Sequence, residues 1–111
     1  MANHIISDSV DEIFRRSLPE RLRQQLHELA GKYRQKEMRL FVFGSFARGD
    51  QRTTSDLDIG IEWERKRSEK LFTKLYNEIQ ELPTIRKIDL VDFEKAEKNF
   101  KDTASKDKIY L

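Results

Sequence analysis

The chain has 111 residues, 37% of them hydrophobic and 38% charged, which suits one small, heavily solvated domain with a single modest core. Its 22 basic and 20 acidic residues leave a net charge of +2, too little to indicate a surface that binds nucleic acid directly. The lack of cysteine excludes a disulfide framework and a thiolate zinc site, and no apolar run has the length of a membrane span or of a signal-peptide core. We therefore expect one domain over residues 1–111 that works in the cytoplasm.

Two helical patterns precede the first predicted strand. Residues Asp8–Arg16 have the apolar spacing of a short helix. Residues Ser17–Glu20 (SLPE) then fit a capping box with proline in the first turn, and leucines recur at helical spacing to about Tyr33. His4 and His27 have no second ligand at metal-binding spacing, so we interpret both as ordinary histidines.

Three apolar runs further along have the length and composition of β-strands. They lie at Met38–Phe43, Ile59–Trp63 and Lys87–Phe93, and an amphipathic helix is predicted at Ser68–Leu82. These elements predict a compact α/β fold in which helices cover one face of a small mixed sheet and acidic side chains gather at one end of it. The apolar residues Ile109–Leu111 either close over this core or contact a partner, and the sequence leaves both open.

The stretch between the first two strands carries the residues that indicate function. Gly44 lets a ligand approach the backbone closely, and Ser45 stands where a strand passes into a helical turn whose N–H groups can hold phosphate oxygens. Asp56 and Asp58 project from the same side of an extended segment, because side chains alternate there. Two neighbouring carboxylates repel each other unless a cation lies between them, and a divalent ion is the usual solution. A phosphate site that faces paired carboxylates is typical of metal-assisted phosphoryl or nucleotidyl transfer.

The same stretch resembles a known signature, GSFARG followed by SDLDIGI, of the DNA-polymerase-β-like nucleotidyltransferases and in particular of their minimal nucleotidyltransferase (MNT) branch. The family pattern continues with a third carboxylate on a later strand, for which Asp89 is the match. The resemblance covers roughly residues 38–92 and implies a polymerase-β-like core, so that residues 1–111 form a single minimal nucleotidyltransferase domain. It implies that the catalytic residues and the Mg²⁺ ligands are the same three acids, Asp56, Asp58 and Asp89. It assigns nucleotide binding to Gly44, Ser45, Arg48 and Ser55.

Simpler interpretations exist for some of these residues. The motif can be a turn followed by solvated acids at a strand edge, but aspartate is disfavoured inside strands and two of them interrupt an apolar run here. Arg48 can neutralise a triphosphate or lie on a helix surface, and we favour the first role. Asp50 is interpreted as a loop acid. Asp92 is a weaker metal candidate than Asp89, because it points to the opposite face of a regular strand.

The resemblance also implies an activity and a partner. An Mg²⁺-dependent enzyme of this kind transfers a nucleoside monophosphate, here AMP from ATP, and this chain has little beyond the nucleotide-handling core with which to hold an acceptor. MNT proteins of this size act with a separate helical HEPN-type protein, often as the antitoxin of a toxin–antitoxin pair, and can transfer AMP to a tyrosine of that toxin. The expected assembly is therefore a hetero-oligomer. Two alternatives stay open: a small-molecule nucleotidyltransferase similar to the aminoglycoside-modifying enzymes, and an antitoxin that acts by binding alone.

Overall fold

The computed structural model describes residues 18–49 and 55–111. The predicted helix at Asp8–Arg16 therefore lies outside the described residues. The helices are α1 (Glu20–Arg34), α2 (Ser45–Arg48), α3 (Glu69–Gln80) and α4 (Lys98–Ala104), with a 3₁₀ turn at Ser105–Asp107. The strands are β1 (Met38–Phe43), β2 (Leu57–Trp63), β3 (Ile88–Asp92) and β4 (Ile109–Tyr110). Within these ranges no helix has the length and apolar character that crossing a membrane requires.

The four strands form one mixed sheet in the order β3-β2-β1-β4. β1 pairs antiparallel with both β2 and β4, whereas β2 and β3 run parallel. A parallel neighbour cannot be reached by a tight hairpin, and α3 supplies the crossover between β2 and β3. The predicted mixed sheet is confirmed.

One face of the sheet is buried beneath α1, α2 and α3. Its strand residues are aliphatic and alternate along each strand: Leu40, Val42, Leu57, Ile59 and Ile61. Leu26 of α1 and Leu75 of α3 pack onto them and are fully buried. Each such side chain contributes about 1.5–3 kcal/mol on burial, so this layer forms the main core.

The other face of the sheet is aromatic, and α4 covers part of it. Phe41, Phe43 and Phe93 form a buried cluster against which Ala104 packs. The prediction that helices cover only one face is therefore wrong. Phe100 and Ala104 stand four residues apart and share one side of α4, a spacing that is visible in the sequence. Their packing onto this face of the sheet depends on contacts with residues distant in sequence.

The helix ends show where local signals succeed and fail. Ser68 caps α3, its hydroxyl accepting a hydrogen bond from the Leu71 amide at 3.2 Å. The capping-box prediction for α1 is wrong: the helix begins at Glu20, and Pro19 is the N-cap residue without a side-chain capping bond. The fixed φ of proline, here −55°, prepares the chain for the first turn instead. Ser17 lies outside the described residues.

The segment Ile109–Leu111 closes on the core. Its first two residues pair with β1 as β4, and the Leu111 amide donates a hydrogen bond to the Leu40 carbonyl at 3.0 Å. The side chain of Leu111 is buried in the main core. Arg34 holds the same residue from α1, donating to the Leu111 carbonyl at 2.7 Å. The structure thus decides the alternative that the sequence left open.

Candidate functional site

The first part of the site is the turn from β1 into α2. Gly44 has a φ of +76° and a ψ of −152°, a left-handed conformation that residues with a Cβ rarely adopt. A Cβ at this position would overlap Asp58 Oδ2 and lie 3.3 Å from Asp58 Cγ. Glycine is therefore required for the turn and for the approach of the acid. Ser45, the first residue of α2, is half-buried beside them.

The second part consists of acids brought together by strand register. Asp58 of β2 pairs with Asp89 of the parallel strand β3 and, on its other side, with Phe43 of β1. Asp56 comes two residues before Asp58, just ahead of β2. Because β2 begins at Leu57 and not at Ile59 as predicted, Asp58 lies inside the ladder, where the register fixes its position.

The electrostatic environment of Asp58 reflects the proximity of the other two acids. Partial burial raises the pKa of the Asp58 carboxyl, and the negative charges of Asp89 and Asp56 raise it further. The positive charge of Arg48 opposes this shift. The site therefore holds an excess of negative charge that a bound cation would relieve.

Lys87 is a positively charged neighbour that sequence reasoning missed. Its Nζ lies 3.9 Å from Asp56 Oδ2 and 3.7 Å from Asp89 Oδ1. The two-residue spacing to Asp89 is visible in the sequence. The proximity to Asp56 depends on the parallel register, in which the Leu57 amide donates to the Lys87 carbonyl at 2.9 Å. Register between strands that are distant in sequence cannot be read from either strand alone.

The donor chemistry of this cluster fits a hard divalent ion. Carboxylate oxygens are the ligands that Mg²⁺ prefers, and the side chains of Asp56 and Asp89 are 41% and 42% exposed to solvent. Among residues 18–49 and 55–111, no three acidic or histidine side chains are arranged as a ready metal-binding group. The cation that the structure places between Asp56 and Asp89 is the ammonium of Lys87.

A cavity of about 400 Å³ opens beside the turn and the acids. Four of the predicted site residues line it: Gly44, Ser45, Arg48 and Asp58. The remaining lining residues come from the end of β1 and from the C-terminal segment: Phe43, Phe100, Thr103, Ala104 and Asp107. The segment that contains α4 thus supplies a wall that the sequence did not predict.

The other predicted residues lie outside that lining. Asp56 and Asp89 are connected to the cavity through their influence on Asp58. The backbone carbonyl of Ser55 accepts a hydrogen bond from Arg86 at 2.6 Å, which fixes the entry to β2. Asp50 lies outside the described residues.

Asp92 has a structural environment distinct from the site. It is buried, accepts hydrogen bonds from Trp63 Nε1 at 3.1 Å and the Glu94 amide at 3.0 Å, and pairs with Arg67. These contacts join β3 to the start of α3. The lower rank of Asp92 as a metal ligand stays a prediction.

Known proteins are similar to this chain. The family described as "Polymerase beta, Nucleotidyltransferase" matches residues 24–111, which include every described residue of the site. A protein of Methanocaldococcus jannaschii named "Putative protein adenylyltransferase" is 35% identical over 74 residues, which cover 67% of this chain and 83% of that protein. A crystal structure from Sulfolobus solfataricus, titled as that of a "putative nucleotidyltransferase", matches with 26% identity and a TM-score of 0.49 over 92% of this chain and 85% of that one.

Proposed function

Because the chain belongs to the polymerase-β-type nucleotidyltransferase family, we propose that it transfers AMP from ATP to a side-chain hydroxyl of a partner protein with Mg²⁺ as the metal. The observation that carries the proposal is the position of Asp58. This acid is charge-coupled to Asp56 and Asp89 and lies against the Gly44–Ser45 turn, in one cavity with it. A carboxylate cluster beside a turn that can receive phosphates matches the chemistry of nucleotidyl transfer.

In this reaction the acceptor oxygen forms a bond to the α-phosphorus of the triphosphate, and the bond from that phosphorus to the departing pyrophosphate breaks. Asp56, Asp58 and Asp89 are the proposed ligands of Mg²⁺, which when bound neutralises phosphate charge and makes the acceptor hydroxyl more acidic. Ser45 donates its hydroxyl hydrogen to a phosphate oxygen, and Arg48 adds positive charge on the same wall. Asp89 takes the proton of the acceptor hydroxyl as general base.

The proposed acceptor is a protein. The M. jannaschii relative carries a name that specifies protein adenylyltransferase, and the MNT resemblance implies a helical HEPN-type partner. We propose that the chain acts as the antitoxin of such a pair and modifies a tyrosine of the toxin. A tyrosine hydroxyl has a pKa near 10 and is a poor nucleophile at neutral pH. The acid cluster with its metal would correct that deficiency.

Intact-mass spectrometry tests the proposal. The purified chain is mixed with the proposed HEPN-type partner, ATP and Mg²⁺, and the expected result is a partner heavier by one adenylyl group. The Asp56→Ala/Asp58→Ala variant is the matched control and should leave the partner unmodified. A partner that is never modified, yet is inhibited equally by this variant, would show that the protein neutralises by binding alone. Modification of free aminoglycosides instead of the partner would favour the small-molecule alternative.

A further inference from the structure

Phe100 of α4 is an exposed aromatic side chain in a fixed position. It is 43% exposed, although it contacts two buried rings. Its ring centroid lies 5.8 Å from that of Phe43, at an interplanar angle of 90°, and 5.7 Å from that of Phe93, at 56°. The ring is therefore held by the core while a large part of its surface stays open.

That open ring belongs to the cavity of the candidate site. Phe100 and Phe43 both line it, and Gly44 and Ser45 line it as well. Thr103 and Asp107 add polar groups from the same segment as Phe100. One cavity thus combines the Gly44–Ser45 turn, where the proposed function places phosphates, with an aromatic wall. A ligand that fills both parts must join an anionic group to a flat, partly apolar one.

A purely structural role does not account for this arrangement. No residue of α4 is fully buried, and Ala104 packs against the aromatic cluster alongside Phe100. A phenylalanine placed only for stability would be expected to bury most of its ring, since hydrophobic stabilisation scales with the area removed from water. The exposed part of Phe100 contributes nothing to that burial.

We propose that Phe100, supported edge-on by Phe43, is the stacking surface for the nucleobase of the bound nucleoside triphosphate. The identity of the ligand rests on the proposed function. This subsite makes the chain bind a nucleoside triphosphate more tightly than a polyphosphate without a base, because every nucleobase offers a flat π surface to an aromatic ring. A cavity of about 400 Å³ is within the usual size of small-molecule sites.

The test measures the affinity of the full chain for two probes in the presence of Mg²⁺. One probe is ATP, and the other is inorganic tripolyphosphate, which has no base. Loss of one base–aromatic stack corresponds to about 5- to 150-fold in affinity. Phe100→Ala should therefore weaken ATP binding by that factor and leave tripolyphosphate binding unchanged. Phe100→Leu keeps an apolar side chain against the core, and we expect a folded variant with the same selective loss.

Two control variants make the result specific. Ser45→Ala should weaken both probes, because it removes a phosphate contact. Tyr76→Ala removes a ring that is 44% exposed on α3, away from the cavity lining, and should weaken neither. Wild-type ATP affinity in a folded Phe100→Leu variant would overturn the inference, and so would an equal loss of ATP and tripolyphosphate. A wild-type chain that binds neither probe would overturn the proposed function itself.

Discussion

Replacing Lys87 with glutamine removes the ammonium group that lies between Asp56 and Asp89. The two ion pairs, at 3.9 and 3.7 Å, involve a lysine side chain that is 70% exposed, so solvent screens both of them. Exposed pairs of this kind contribute about 0.2–1 kcal/mol each, and we expect the metal-free variant to lose about 0.5–1.5 kcal/mol. For a domain of this size that loss lowers the melting temperature by about 2–10 °C.

The same substitution should strengthen the binding of Mg²⁺. In the wild type Mg²⁺ must displace the ammonium from Asp56 and Asp89, whereas in the variant it does not. The free energy of unfolding that the metal-free variant loses is therefore recovered when Mg²⁺ binds. We expect the dissociation constant for Mg²⁺ to fall by about 2- to 12-fold, and the rise in melting temperature with Mg²⁺ to be larger than in the wild type.

The matched control is Lys95→Gln. Lys95 pairs with Glu69 at 3.7 Å and is 62% exposed, so this variant removes the same charge and an ion pair of the same length at the other end of β3. Melting curves and Mg²⁺ titrations of the three proteins decide the matter. If Lys87→Gln destabilises the metal-free protein no more than Lys95→Gln does, and Mg²⁺ affinity is unchanged, the assignment of Lys87 as the counter-ion of the acids is wrong.

Further predictions concern three residues that line the cavity. Asp58→Asn should abolish transfer of label from α-labelled ATP while raising the metal-free melting temperature at neutral pH, because it removes a charge that burial and two neighbouring acids disfavour. Since the pKa of Asp58 is raised in the folded state, its ionised form destabilises the protein above that pKa. The advantage of the variant should shrink as the pH falls through the raised pKa toward the ordinary value of 3.8, and an advantage that does not change with pH would contradict this cause. Ser45→Ala should reduce the transfer rate about 10²–10³-fold, or about 2.7–4 kcal/mol, through loss of one preorganised donor. Arg48→Ala should act in the same direction but recover partly at higher Mg²⁺, and complete recovery of both variants would refute this division of roles.

Local patterns predicted the centre of the molecule well. The first strand was predicted at its observed bounds, Met38–Phe43, because a largely apolar run ends there at a glycine. Gly44, Ser45 and Asp58 were identified from the same stretch, and the structure brings them together around one cavity. The strand bounds depend on residues close in sequence, whereas the meeting of Gly44 with Asp58 follows from the antiparallel pairing of β1 with β2.

What the sequence could not supply depends on contacts between distant parts of the chain. The position of Lys87 beside Asp56 requires the register of two parallel strands that a helix separates. The packing of Phe100 on this face of the sheet depends on the rings of Phe43 and Phe93. The strand formed by Ile109 and Tyr110 is too short to give a signal of its own.

The two walls of the cavity therefore differ in local stability. The wall around Gly44 and Ser45 adjoins the main core, in which Phe46 and Ala47 are buried. The opposite wall is formed by α4, which has no buried residue. The chain after α4 is held by the two-residue pairing of β4 with β1 and by the contact of Lys108 with Glu62 at 2.6 Å. Segments with few buried contacts open at a lower free-energy cost than the core of a sheet. Amide hydrogens of α4 should thus exchange with solvent through a local opening that leaves the acids in place, and a nucleotide that touches both walls would slow that exchange.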